Sequence, residues 1–364
     1  MLKTLVSNGH GRLADGNNLF TLMRIGFALI VLAGHSVQIS RGLEFAPGWP
    51  QSLDYVVHRC LDGFFILSGY MITASVLNNG DIKRYTLSRL FRIMPGLIVA
   101  TLILWLIVGP LFTALTPAAY WSDPQTLSFP LLILSQAEPL AGLPGVFDAS
   151  PAGGYANGPL WTIRYEILAY IGVGLLLVLG LYQKRSQIVS WSVAAIAGAL
   201  VYQSVGYVGP GDDTIGSMAR FAPAFMIGAG FFALGDKLHL SPATLAFCTL
   251  AALLGADTIA GPVLEQIATA AIILWLGYRV PSGKIGTRLT RIEDISYGIY
   301  ILHWPIGMMV FSLAPGMNTL TVFALMLPLS LVAGWLMRVG IEKPAMRVKD
   351  ALSTPRSAQP VFSS

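Results

Sequence analysis

The amino-acid sequence predicts an all-α, polytopic membrane protein with about ten transmembrane helices and both termini in the cytoplasm. Three observations carry that expectation. Hydrophobic residues make up 54% of the 364-residue chain and charged residues only 11%, with a mean hydropathy of +0.66. A soluble domain has about a quarter of its residues charged. The apolar residues also fall into runs long enough to cross a hydrocarbon layer as helices. Finally, lysine and arginine concentrate in alternate connections between those runs.

The runs are read at residues 19–39, 55–77, 93–115, 159–182, 187–206, 216–235, 241–256, 264–280, 294–313 and 319–340. The first carries Arg24 and His35, 11 residues apart. Eleven steps of about 100° return a helix to within about 20° of its starting face, so both side chains point the same way, about 16 Å apart along the axis. Such residues are costly in hydrocarbon unless they face a polar cavity, which predicts a polar cleft inside the bundle. The plainer alternative is a snorkelling arginine at one interface and a histidine at the other. The second run holds Arg59 and Asp62 at the spacing of an intrahelical ion pair.

Lys83, Arg84, Arg89 and Arg92 are read as a short basic loop leading into the third run. The stretch 116–158 follows on the opposite side and is expected to cap a site; no basic residue occurs from Ala114 to Gly158. Arg164 and Glu166 open the fourth run, Lys184 and Arg185 follow it, and Arg220 lies in the sixth. Lys284, Arg288 and Arg291 precede the ninth run, which holds His303, and Lys343, Arg347 and Lys349 follow the tenth. The positive-inside rule then puts every basic connection, and both termini, in the cytoplasm.

The domain reading is a polar cytoplasmic N-terminus at 1–18, one membrane domain at 19–350, and a disordered Ser/Pro-bearing tail at 351–364. No internal repeat is visible, and no small-residue cleavage site follows the first run, so no signal peptide is expected to be removed. The net charge of +5 follows from topology and implies no nucleic-acid partner. Cys60 and Cys248, both within runs, support neither a disulfide assignment nor a metal site.

By helical rise, His35, Arg59, Asp62, Arg164, Glu166 and Arg220 reach a similar depth in the outer third of the membrane, with His303 nearer the middle. Convergence of ionisable groups at one depth predicts a site rather than scattered snorkelling. On the cytoplasmic side, Arg89 and Arg92 stand one helical turn apart, a spacing suited to a phosphate ligand, although the plainer reading from the residues alone is contact with anionic lipid headgroups. Ser68 is read as helix packing, beside Gly69.

At this point the chain resembles the acyltransferase-3 family of integral membrane acyltransferases over nearly its whole length. Arg24 and His35 match that family's first-helix motif, and "DGFFILSGYMI" (62–72) is similar to its second-helix signature. "SRLFRIMP" (88–95) resembles its Arg-x-x-Arg motif, "GPLWTIRYEILAY" (158–170) its Trp…Glu segment, "SYGIYILHWPI" (296–306) its late His segment and "IEKP" (341–344) its closing motif. Ile163 departs from a more usual Leu. No SGNH-type hydrolase domain, which some members carry, is expected after the tenth run. The resemblance implies transfer of an acyl group, usually acetyl, from acyl-CoA to a hydroxyl of a cell-envelope glycan or lipid-linked saccharide. The expected location is the bacterial inner membrane, among membrane lipids.

On that reading Arg24, Arg89 and Arg92 bind the acyl-CoA donor, and His35 acts either as general base or as a transiently acylated relay. Asp62 or Glu166 would orient the imidazole, Arg59, Arg164 and Arg220 would serve the oxyanion or substrate, and His303 would line the cavity. No metal is expected. The alternative class is a transporter or flippase of a glycan or lipid intermediate, whose inverted repeat is not visible here.

Overall fold

All ten apolar runs fold as helices in the computed structural model, which describes residues 16–43, 49–78, 80–148, 150–206 and 214–353. In chain order, α1 (Phe20–Arg41), α2 (Trp49–Asn78) and α3 (Ile82–Phe112) lead to two short helices, α4 (Pro117–Ser122) and α5 (Pro124–Leu134). Then come α6 (Trp161–Val178), α7 (Arg185–Ser204), α8 (Thr214–Leu234), α9 (Pro242–Leu254) and α10 (Gly261–Gly277). A short α11 (Gly283–Thr290) precedes α12 (Ser296–Leu313) and α13 (Thr319–Ser353). Among the described residues, six helices are long and apolar enough to cross a membrane: α1, α2, α3, α6 (with the turn before it), α8 and α13. The protein is thus an all-α, multi-spanning membrane protein.

The second helix begins at Trp49 rather than at 55, and two further boundaries differ from the sequence reading, each for a local reason. Asp81 caps α3, its carboxylate accepting the Lys83 N–H at 2.9 Å, which satisfies an orphan donor at the helix start. The helix therefore begins at Ile82, and Arg89 and Arg92 lie on it rather than in a loop. At the other end, α13 does not stop near 340. It passes through a π-helical turn at Arg338–Glu342 and continues to Ser353, packed on α3. Ala351–Ser353, assigned to a disordered tail, are helical; the rest of that tail, 354–364, and most of the polar N-terminus lie outside the described residues.

The helix most enclosed is α12, with 14 of its 18 residues buried. Apolar on all sides, it can be satisfied only by neighbours all round, and α1, α3 and α13 supply them. Pro305 interrupts α12 and cannot donate to the Ile301 carbonyl one turn earlier. Asn157 Nδ2 donates to that carbonyl instead, at 2.8 Å, and Trp304 Nε1 donates to Tyr155 O at 3.3 Å. The long 116–158 connection is thereby fixed across α12. A second tight contact joins α2 and α8. A Cβ on Gly69 would lie 1.9 Å from Phe225 O, and one on Gly228 would lie 2.0 Å from Ile66 O. The two backbones touch, as small residues allow in membrane bundles. Leu111, Leu131, Leu253 and Leu320 face outward on the perimeter, where hydrocarbon would cover them.

Candidate active site

Residues from α1, α2, α3, α6 and α12 enclose a narrow cavity of about 80 Å³, lined by Arg24, Ser68, Arg89, Arg92, Glu166, Tyr170 and Tyr300 among others. Ser68, expected only to pack, is on its wall and lies 3.3 Å from Tyr170 Oη; the close approach belongs to Gly69 alone. Glu166 accepts a hydrogen bond from the Tyr170 hydroxyl, one turn along α6.

The arginines at the cavity divide into two kinds. Arg24 Nη1 and Arg92 Nη2 both donate to Asp294 Oδ2 at 2.9 Å. Asp294 is held in turn by Ser296, whose hydroxyl and amide donate to Oδ1 at 2.5 and 3.2 Å. Arg92 Nη1 also donates to Glu342 at 3.3 Å, and Arg338 shares that carboxylate. Arg92 is thus pinned between two acids, Glu342 buried and Asp294 half-buried. Arg89 is not: its guanidinium lies 5.5 Å from the Tyr170 ring centroid, and its buried Nε has no partner among the described residues. Nitrogen–carboxylate bonding therefore takes up Arg92, while Arg89 keeps donors to spare on the cavity wall.

His35 Nδ1 lies 2.6 Å from His303 Nε2, with the rings nearly parallel. His303 Nδ1 lies 2.9 Å from Ile299 O. A carbonyl only accepts, so with both imidazoles neutral that Nδ1 carries hydrogen and His303 Nε2 is an acceptor. His35 must then be protonated on Nδ1, which leaves its Nε2 as the bare nitrogen. Trp304 packs edge-on to His35, with centroids 5.1 Å apart. Tyr300 connects this pair to the cavity: its ring is 6.0 Å from His303, and its hydroxyl pairs with Thr162 Oγ1 at 2.7 Å.

The five ionisable residues read at the depth of His35 (Arg59, Asp62, Arg164, Glu166 and Arg220) bond to other partners. Asp62, fully buried, contacts Arg59 at 3.3 Å and Arg220 at 3.1 Å, and Arg59 reaches Glu265 at 2.6 Å. That group ties α2 to α8 and α10, leaving Asp62 and the two arginines engaged away from the imidazoles. Arg164 donates to the carbonyls of Gln136 and Ala137 at 2.9 and 2.8 Å, so it anchors the 116–158 connection. Among the described residues, His35 is hydrogen-bonded by His303 and not by Asp62 or Glu166. The contacts these residues make show that their bearings around the bundle differ.

Asp294 and Glu265 were missed. Asp294 stands just ahead of the "SYGIYILHW" segment, and an acid at a helix start facing two intramembrane arginines was the available signal. Glu342 was present only as part of "IEKP". Among the described residues, no group of three His, Cys, Asp or Glu side chains is placed to hold a metal ion, and Cys60 and Cys248 are both free thiols.

Comparison with known proteins gives two matches. A family model described as an acyltransferase domain matches residues 17–339. The chain is also 23% identical, over 319 residues, to the O-acetyl transferase of Shigella phage Sf6, covering 81% of this chain and 86% of that protein. No solved structure matches.

Proposed function

This chain belongs to the acyltransferase-3 family of membrane acyltransferases, and we propose that it moves an acetyl group from acetyl-CoA to a hydroxyl of a cell-envelope glycan or lipid-linked saccharide. The relative's name, O-acetyl transferase, supports the acyl group and the oxygen acceptor. The observation that carries the mechanism is the His35–His303–Ile299 hydrogen-bonded chain, because with neutral imidazoles it leaves Nε2 of His35 without a proton.

In this mechanism, His35 Nε2 takes the proton of the acceptor hydroxyl as its oxygen attacks the thioester carbonyl. The new C–O bond forms, the C–S bond breaks, and the departing thiolate recovers the proton from the imidazolium. His303 accepts the Nδ1–H of His35 throughout, and that bond strengthens while His35 is charged. Arg89, with its spare donors, binds the phosphates of the donor at the far end of the cavity. Arg24 and Arg92, fixed by Asp294, shape the cavity wall at that end.

The accompanying topology is one membrane domain, 19–350, in the bacterial inner membrane, with all ten apolar runs crossing and both termini cytoplasmic. Ion pairs from Arg92 to Asp294 and from Lys343 to Glu293 gather three basic connections at one end of the bundle, as the positive-inside rule asks of a cytoplasmic face. Acetyl-CoA made inside then meets an acceptor finished outside.

The test is release of CoA thiol by purified protein given acetyl-CoA and an envelope saccharide fraction. His35→Ala is expected to lower kcat about 10²–10⁴-fold, the range for loss of a general base, with normal expression and membrane insertion. Near-parental turnover by a folded His35→Ala protein would overturn the mechanism.

A further inference from the structure

The short helix α11 and its C-cap, Arg291, carry a stripe of cations away from the active-site cavity. Lys284, Arg288 and Arg291 recur at i, i+4 and i+7, so they share one face of the helix. With Gly283 and Thr287 they line a shallow recess. All three side chains are exposed, and among the described residues no carboxylate pairs with any of them. The two acids that follow in the chain are already engaged. Glu293 binds Lys343 at 2.6 Å and Arg338 at 3.3 Å, and Asp294 binds Arg24 and Arg92 at 2.9 Å. Like charges one turn apart destabilise a helix, and Lys284 stands in the first turn, where the helix dipole disfavours a cation. An anion over the stripe relieves both effects.

The other faces of α11 settle where the stripe points and what lies beside it. Gly286, about 200° around the axis from Lys284, is buried. A Cβ there would lie 1.7 Å from Pro281 O, so that side is closed against the preceding backbone and the cations face outward. Ile285, about 100° around from Lys284, is 66% exposed, and Ile292 just past the helix is 37% exposed. A cationic stripe with exposed apolar side chains alongside is the pattern of a helix lying in a membrane interface.

This pairing of charge and apolar surface selects the ligand. A free phosphate or a nucleotide would satisfy the cations and leave Ile285 in water. A phospholipid brings an anionic headgroup and an acyl chain together, and so meets both. None of the residues lining the active-site cavity comes from α11, which separates the stripe from the Arg89 end. We propose that α11 is a binding site for an anionic phospholipid, its phosphate held by Lys284, Arg288 and Arg291 and its acyl chain lying against Ile285. The proposal does not depend on acyl transfer.

The experiment is native mass spectrometry of the full-length protein in detergent, titrated with phosphatidylglycerol or phosphatidylcholine. The first phosphatidylglycerol is expected to bind about tenfold more tightly than phosphatidylcholine, because the attraction adds over three cations. Lys284→Gln, Arg288→Gln and Arg291→Gln should each weaken it about fivefold, and Ile285→Ser about tenfold. Lys284→Arg, which keeps the charge, should bind as the parent does. All of these positions are exposed, and an unchanged melting midpoint shows that each variant is folded. Equal binding of the two lipids, or parental affinity in all four weakening variants, would overturn the proposal. So would displacement of the lipid by inorganic phosphate or CoA with no effect of Ile285→Ser, which would mark the stripe as a site for soluble phosphates.

Discussion

Replacing His303 tests whether it orients His35 or only fills space. In the resting pair, His35 Nδ1–H donates to His303 Nε2 at 2.6 Å, a neutral hydrogen bond of net worth about 0.5–1.5 kcal/mol. When His35 takes the acceptor's proton it becomes a cation, and the same bond becomes charge-assisted, worth about 1.5–3 kcal/mol. Only the difference, about 1–2 kcal/mol, acts on the barrier, because an interaction equal in both states leaves kcat unchanged. His303→Ala is therefore expected to lower kcat by about 5–30-fold per folded molecule. The KM for acetyl-CoA should hardly move, since the donor's phosphates are held elsewhere. His303 is completely buried, so the alanine variant also leaves a cavity that lowers thermal stability. His303→Gln, whose amide oxygen can still accept, should recover part of kcat. CoA-release kinetics with the folded fraction measured by thermal unfolding give both numbers. Parental kcat in folded His303→Ala, or a glutamine variant as slow as the alanine one, would refute the orienting role.

Three further outcomes follow from particular contacts. Arg89→Ala should raise the apparent KM for acetyl-CoA with a salt-sensitive loss, whereas Arg92→Ala should chiefly destabilise the fold, by about 3–5 kcal/mol, because it strips Glu342, buried, and Asp294, half-buried, of a partner; titration calorimetry with CoA alongside thermal melts distinguishes them, and equal CoA affinity in Arg89→Ala would end its phosphate role. Asn157→Ala should cost about 1–3 kcal/mol by leaving the Ile301 carbonyl, freed by Pro305, without a donor; an unchanged melting midpoint would refute this. The Glu293 carboxyl is held below the usual range by the hydrogen bond from Lys343, with slight burial opposing and Arg338 assisting. A depressed carboxyl stabilises the fold above its unfolded value and loses that contribution as pH falls through the folded one. The melting gap between parent and Glu293→Gln should thus be small but complete at pH 7 and close on acidification, and a gap that widens with acid would contradict it.

The helices and the Arg24–His35 face could be read from the sequence, because both depend on spacing along one chain. Apolar run length defines a helix, and 11 residues return to one face; Arg24 duly meets Asp294 just before α12, and His35 meets His303 on it. The pairing of helices was not readable in the same way. Rise per residue put Asp62 at the depth of His35, but depth is one coordinate, and the bearing around the bundle is set by contacts such as that of Gly69 with Phe225. Those contacts turn Asp62 toward Arg220 on α8, across α2 from the imidazoles.

The same limit explains why two arginines one turn apart looked equivalent. What separates Arg89 from Arg92 is a pair of carboxylates 202 and 250 residues away in the chain. Asp294 serves Arg24 and Arg92, and Glu342 serves Arg92 and Arg338. Three cations thus share two acids, and these contacts leave Arg89 out. An arginine already bonded to two carboxylates must break those bonds to hold a phosphate, and the acids it leaves would repel the ligand. Arg89 has neither obstacle. On the proposed acyl transfer, the first of the two positions in the Arg-x-x-Arg motif would bind the donor, while the second joins α3 to Asp294, just ahead of α12, and to Glu342 on α13.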